Sequence, residues 1–201
     1  MVISAILNIR AEYSGPRRDV YIFKPLTMIC IILIALRATD PPSALYKYLI
    51  ICGLFCSLIG DVFLMLPSDR FVHGLISFLA AHLFYIAAFS YEGGRAFSAW
   101  QAIPFLIYGG LMLRILLPSL GKMKLPVMLY MLAILIMGWR ALSRMLETQA
   151  EGSALALLGA LMFIASDSIL ALDWFKGHFH SAPFLILSTY FIAQWLIALS
   201  I

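Results

Sequence analysis

The sequence predicts an all-α polytopic membrane protein, a transmembrane bundle of about eight helices with a short first one. Three observations predict it. Apolar residues make up 63% of the chain and charged residues 12%, against about 45–50% and 25% in soluble domains. Mean hydropathy is +0.98. The apolar stretches are also long and continuous, unlike the short alternating segments of a membrane β-barrel. Lipid offers backbone groups no outside partner, so each segment must satisfy its own, as a helix does.

The elements follow in order. MVISAILNI is apolar but stops at Arg10, too short to cross, and is read as a truncated first helix. Apolar runs then occupy about 20–37, 45–66, 71–90, 100–118, 125–146, 153–172 and 181–201. Each approaches the roughly 20 residues that a helix needs to cross hydrocarbon. Turn and breaker residues punctuate the connections, in TDPPS, LPSDR, EGGR, LPSLGK and FKGHFHSAP. The whole chain, 1–201, reads as one integral membrane domain.

The formal charge of +4 lies in loops and helix ends, with no basic cluster dense enough for a nucleic-acid surface. Connections before helices 2, 4, 6 and 8, with the adjoining helix ends, hold nine of the fourteen Lys and Arg. The positive-inside rule places that side in the cytoplasm and both termini opposite. Cys30, Cys52 and Cys56 sit inside apolar runs as small hydrophobes, with no disulfide or zinc spacing. The N-terminus has no basic region ahead of its apolar start, so a cleaved signal peptide is not expected. Chain size and spare loops point to a bacterial inner membrane.

Two segments resemble each other. GLFCSLIGDVFLML (53–66) and GALMFIASDSILAL (159–172) each carry Gly, seven residues, Asp, then an apolar tail. They stand about half the chain apart, in helices 3 and 7, which run in the same direction. This reads as a four-plus-four parallel duplication with halves near 1–95 and 96–201, an arrangement that builds sites between repeats. Recurrence by chance in Leu-rich helices is the plainer alternative.

Each Asp stands five residues from the end of its run, about 8 Å below one membrane boundary. Lys24 enters helix 2 to a similar depth from the same side. An ionised residue costs about 2.5–3.5 kcal/mol at mid-membrane, so Asp61 and Asp167 are functional candidates by default. Two carboxylates in a low-dielectric pocket tend to share one proton, which supplies an acid and a base together. The other polar residues have plainer readings. Lys24 can snorkel, and His82, Tyr85, Tyr130, Tyr190 and Gln194 can be packing residues or interhelical hydrogen bonds. His73 and His82 fall on opposite helix faces, while His178 and His180 belong to the last loop. Ser57, Ser166 and Ser168 lie near the aspartates, but no nucleophile elbow appears. Without a Walker loop, dinucleotide fingerprint or metal-ligand cluster, no cofactor or metal is expected. Acid–base chemistry or proton-coupled transport remains.

FKPLTM (23–28), SLIGDVFLML (57–66), FVHGLISFLAAHLFYIAAF (71–89), GALMFIASDSILALDWF (159–175) and STYFIAQWLI (188–197) together resemble the YhhN-type lysoplasmalogenase family. The blocks fall in the family's order and span nearly the whole chain. The resemblance implies hydrolysis of the vinyl-ether bond of a lysophospholipid, giving a fatty aldehyde and glycerophosphocholine or glycerophosphoethanolamine. That chemistry needs an acid and a base just below the headgroups, so Asp61 and Asp167 are the expected catalytic pair, with Lys24 as a phosphate partner and His82, Tyr85, Tyr130, Tyr190 and Gln194 as candidates to orient water or glycerol. The rival readings are a proton-coupled transporter or lipid-binding protein using the same aspartates, and a zinc amide hydrolase of the alkaline-ceramidase kind. A purely structural membrane module leaves the buried charges without a use.

Overall fold

The computed structural model describes residues 1–39, 41–66, 70–92, 99–148 and 151–201. The turns anticipated around residues 40, 67–69 and 93–95 lie outside them. Eight helices follow one another: α1 Val2–Ser14, α2 Arg17–Arg37, α3 Ala44–Met65, α4 Phe71–Glu92, α5 Ile103–Leu116, α6 Lys124–Thr148, α7 Ser153–Lys176 and α8 Ala182–Leu199. Short 3₁₀ turns extend α5 at both ends, so its span runs from Ala99 to Ser119. Seven of the helices are long and apolar enough to cross a membrane. The exception is α1, whose 13 residues make about 20 Å of helix against about 30 Å of hydrocarbon.

Local chemistry sets most boundaries. Pro16 precedes α2 in extended conformation, and Asp19 sits in the first turn, where the helix dipole favours a negative charge. The Ser43 hydroxyl caps α3 by accepting the Tyr46 N–H at 3.0 Å. Pro104 and Pro183 open α5 and α8 at positions whose N–H needs no helical partner. Gly177 ends α7 with φ of +135°, one turn beyond the expected stop at residue 172. The run looked finished there because Asp173 and Lys176 break the apolar pattern, yet both are tolerated on a last helical turn.

Several of the helix pairings recur four helices later. Contacts join α1–α2, α2–α3, α3–α4 and α2–α8, and again α5–α6, α6–α7, α7–α8 and α4–α6. The glycine of each resembling segment receives the next helix. A Cβ on Gly53 would lie 2.3 Å from the Tyr85 ring of α4, and one on Gly159 would lie 2.9 Å from the Ala193 carbonyl oxygen of α8. Met28, Ile31, Ile50, Leu54, Phe89, Phe163 and Ile197 form the wholly buried centre. Large apolar side chains such as Leu106, Leu111, Leu129 and Leu132 face outward from α5 and α6, as a lipid-facing surface requires.

Candidate active site

Asp61 lies in α3, four residues from the helix end, and is 1% exposed. Lys24 of α2 places Nζ 3.1 Å from its Oδ1. The Tyr190 hydroxyl of α8 donates to its Oδ2 at 2.6 Å. Both oxygens are engaged, and one carboxylate ties three helices together. Lys24 does not snorkel: its side chain is 11% exposed, and its charge is spent on Asp61. Pro25 follows it within α2, which removes one helical hydrogen bond directly beside the ion pair.

Asp167 of α7 is held differently. The Tyr130 hydroxyl of α6 donates to its Oδ2, and its other oxygen has no hydrogen-bond partner among the described residues. Tyr130 precedes Asp167 by 37 residues, and Lys24 precedes Asp61 by the same number. The two acids therefore sit in one register, one facing a cation and the other a neutral phenol.

Both carboxylates line a single cavity of about 200 Å³, together with Lys24, Ser166 and Tyr190; Glu12 and Trp174 stand at its mouth. Counting along the sequence puts both acids five residues from a helix end, whereas Asp167 stands nine residues from the end of the longer α7. The extra turn runs alongside the start of α4, where Trp174 stacks on Phe71 at 4.4 Å. Below it, Asp173 accepts the Phe179 N–H at 3.0 Å and meets His178 Nδ1 at 2.8 Å. Tyr13 of α1 fastens the same loop by donating to the His180 carbonyl and accepting from the Phe184 N–H.

The remaining anticipated residues take supporting places. Tyr85 donates to Gln194 Oε1 at 2.8 Å, a buried α4–α8 hydrogen bond that does not line the cavity. His82 is wholly buried and meets the rings of Tyr130 and Phe163 edge-on, at centroid distances of 5.0 and 4.8 Å. It backs the phenol that bonds Asp167. The histidines are dispersed, with His73 on Phe63, His180 on Tyr13 and His178 on Asp173. Among the described residues no three His, Cys, Asp or Glu side chains converge as a metal site would require. Glu12, Tyr108 and Trp174 were not anticipated. Their signal is faint, a single polar or amphipathic side chain near the end or along the face of an apolar helix.

Fold and site define a polytopic membrane protein with two carboxylates facing one intramembrane cavity. The profile of the YhhN family matches residues 20–201, and the chain belongs to that family. It is 27% identical over 199 residues to the membrane protein YhhN of Shigella flexneri, covering 99% of this chain and 95% of that one. Lysoplasmalogenase TMEM86B of Sus scrofa is 35% identical over 174 residues, with 85% and 70% covered. Lysoplasmalogenase TMEM86A of Bos taurus is 39% identical over 159 residues, with 75% and 64% covered. No solved structure matches the chain.

Proposed function

We propose that the protein is a lysoplasmalogenase, hydrolysing the vinyl-ether bond of a lysophospholipid by acid–base catalysis, with Asp167 as acid and Asp61 as base. One observation carries the assignment of roles. Asp61 has both oxygens engaged and a lysine as counter-ion, whereas Asp167 has one oxygen unpartnered and a neutral donor on the other. Asp61 keeps its ion pair only as a carboxylate. Asp167 can carry a proton without breaking one.

The chemistry needs both. Asp167 gives its proton to the alkenyl carbon remote from oxygen, and the ether oxygen's lone pair stabilises the oxocarbenium ion that results. Water, held by a lone pair that Asp61 still has free, adds to the cationic carbon and yields its proton to Asp61. The hemiacetal then collapses: Asp61 returns that proton to the departing glycerol oxygen, and Asp167 takes back the hydroxyl proton. Aldehyde and glycerophospho product leave, and both carboxyls are restored. The two-carboxylate logic is that of glycoside hydrolysis, which also passes through an oxocarbenium-like state. Lys24 holds the base in its ionised form, and its phosphate role becomes secondary to that pairing. The cytoplasmic leaflet, favoured by loop charge, is the side from which the lipid would enter.

Purified protein is expected to release aldehyde from a lysoplasmenyl-ethanolamine in detergent, unaffected by a chelator. Substrate movement across liposomes without bond cleavage would overturn the reading in favour of a transporter. Tyr130→Phe removes the one donor on Asp167 among the described residues while keeping the ring against His82. It is expected to lower kcat about tenfold, the scale of a hydrogen bond to a charged group, with KM nearly unchanged. A raised KM with kcat intact would instead make Tyr130 a substrate contact.

A further inference from the structure

We infer that the alkenyl chain of the substrate threads past Asp167 into a passage between α5, α6 and α7 that runs along α7 away from the Asp61 cavity, and that this passage sets chain-length preference. The inference rests on the hydrolase reading above.

The cavities near Asp167 share walls. The polar cavity holding Asp61 shares Leu64, Phe71, Phe78, Asp167 and Leu170 with a chamber between α4, α6 and α7. That chamber shares Val127, Tyr130, Asp167 and Ala171 with an apolar cavity between α5, α6 and α7. The apolar cavity in turn shares Tyr108 and Ile164 with a groove along α5 and α7 that reaches Leu142, Leu157 and Leu161. Asp167 belongs to the first three spaces and is the hinge of the sequence.

Direction and chemistry agree with a lipid tail. Only the cavity containing Asp61 carries several charged groups; beyond Asp167 the lining is apolar apart from the hydroxyls of Tyr108, Tyr130 and Ser168. Tyr130 is occupied by Asp167. Ser168 donates to the Ile164 carbonyl at 2.6 Å, so the Tyr108 hydroxyl donates to Ser168 across the α5–α7 seam at 2.7 Å. The polar atoms of the wall are thus satisfied, as an apolar occupant requires. From Asp167 to Leu157 the path follows ten residues of α7, about 15 Å of rise. Half of a hydrocarbon core about 30 Å thick is the same length. Leu157 lies four residues from the start of α7, so a chain whose vinyl ether sits at Asp167 would run past the middle of that helix toward its opposite end. The groove opens between exposed side chains, Leu161 among them, so the freed aldehyde has a lateral exit into lipid.

Ile164→Trp places a large ring where the apolar cavity meets the groove. Aldehyde release from a long-chain lysoplasmenyl-ethanolamine is expected to fall at least about tenfold, with a short-chain substrate cleaved nearly as well as by wild type. The scale follows from the factor of about ten or more that hydrophobic pockets assign to even one methylene. A photo-crosslinking saturated ether analogue, with its reactive group at the chain terminus, supplies a test on unaltered protein. Adducts on α5 and α7 near Phe105, Tyr108 and Leu161 would support the passage. Adducts around Trp174 and Phe175, or equal loss on long and short chains, would overturn it. If wild-type protein cleaved no vinyl ether of any length, the hydrolase reading itself would fall, a different result from either.

Discussion

Asp167→Asn is expected to lower aldehyde release by about a thousandfold while leaving the protein folded. General acid–base catalysis contributes roughly 10²–10⁴ to rate, and in the proposed roles Asp61 is held ionised by Lys24, which leaves Asp167 to protonate carbon. Asn keeps the shape of the carboxyl and can still accept from Tyr130 through its carbonyl oxygen, so the α6–α7 contact survives. Its amide cannot give up a proton to carbon. The variant should therefore bind substrate with near-normal affinity, measured by protection of the crosslinking analogue, and fail in kcat. Wild-type release by folded Asp167→Asn protein would sink the assignment of Asp167 as acid.

Lys24→Met is the change expected to cost most stability. Removing one partner of a buried ion pair leaves an uncompensated charge, at about 3–5 kcal/mol, or a melting temperature lower by roughly 10 °C for a chain of this size. Methionine fills most of the lysine stem, so little of the loss is packing. The double variant Lys24→Met with Asp61→Asn should recover much of the stability, because the orphaned charge is gone and Tyr190 can still donate to the new amide oxygen. It should not recover activity. Thermal unfolding in detergent, compared across the single and double variants, separates the two effects. Equal destabilisation in both would show that Lys24 matters by its bulk and not by its charge.

The helices were legible in the chain because lipid imposes a length and a polarity that few soluble segments share. Seven expected spans correspond to α2 through α8, most within two or three residues at each end. Asp61 and Asp167 were legible for the same reason, each a charge in a run that has no other use for one. Their partners were not. Lys24 meeting Asp61 depends on how α2 lies against α3, and nothing in FKPL distinguishes an ion pair from a side chain reaching for the interface. Tyr190 and Tyr130 touch the two acids, whereas Tyr85 and Gln194, equally polar by sequence, bond each other. Helical periodicity tells which residues share a face but not which neighbour that face meets. The last turn of α7 was missed because charged residues close an apolar run before they close a helix, and with it went Trp174 at the mouth of the cavity.

The unequal partners of the two acids have an electrical consequence. With Asp61 paired to Lys24 and Asp167 carrying its proton, as proposed, these three side chains have no net charge before substrate arrives. When that proton moves to carbon, the cation that forms and the carboxylate left behind cancel within the same cavity. Water and leaving group then pass protons only between these two residues. Moving one elementary charge through a potential of 100 mV costs about 2.3 kcal/mol, but here no charge traverses the field. Turnover would thus be indifferent to membrane voltage, and the enzyme would neither draw on the cell's ion gradients nor leak them.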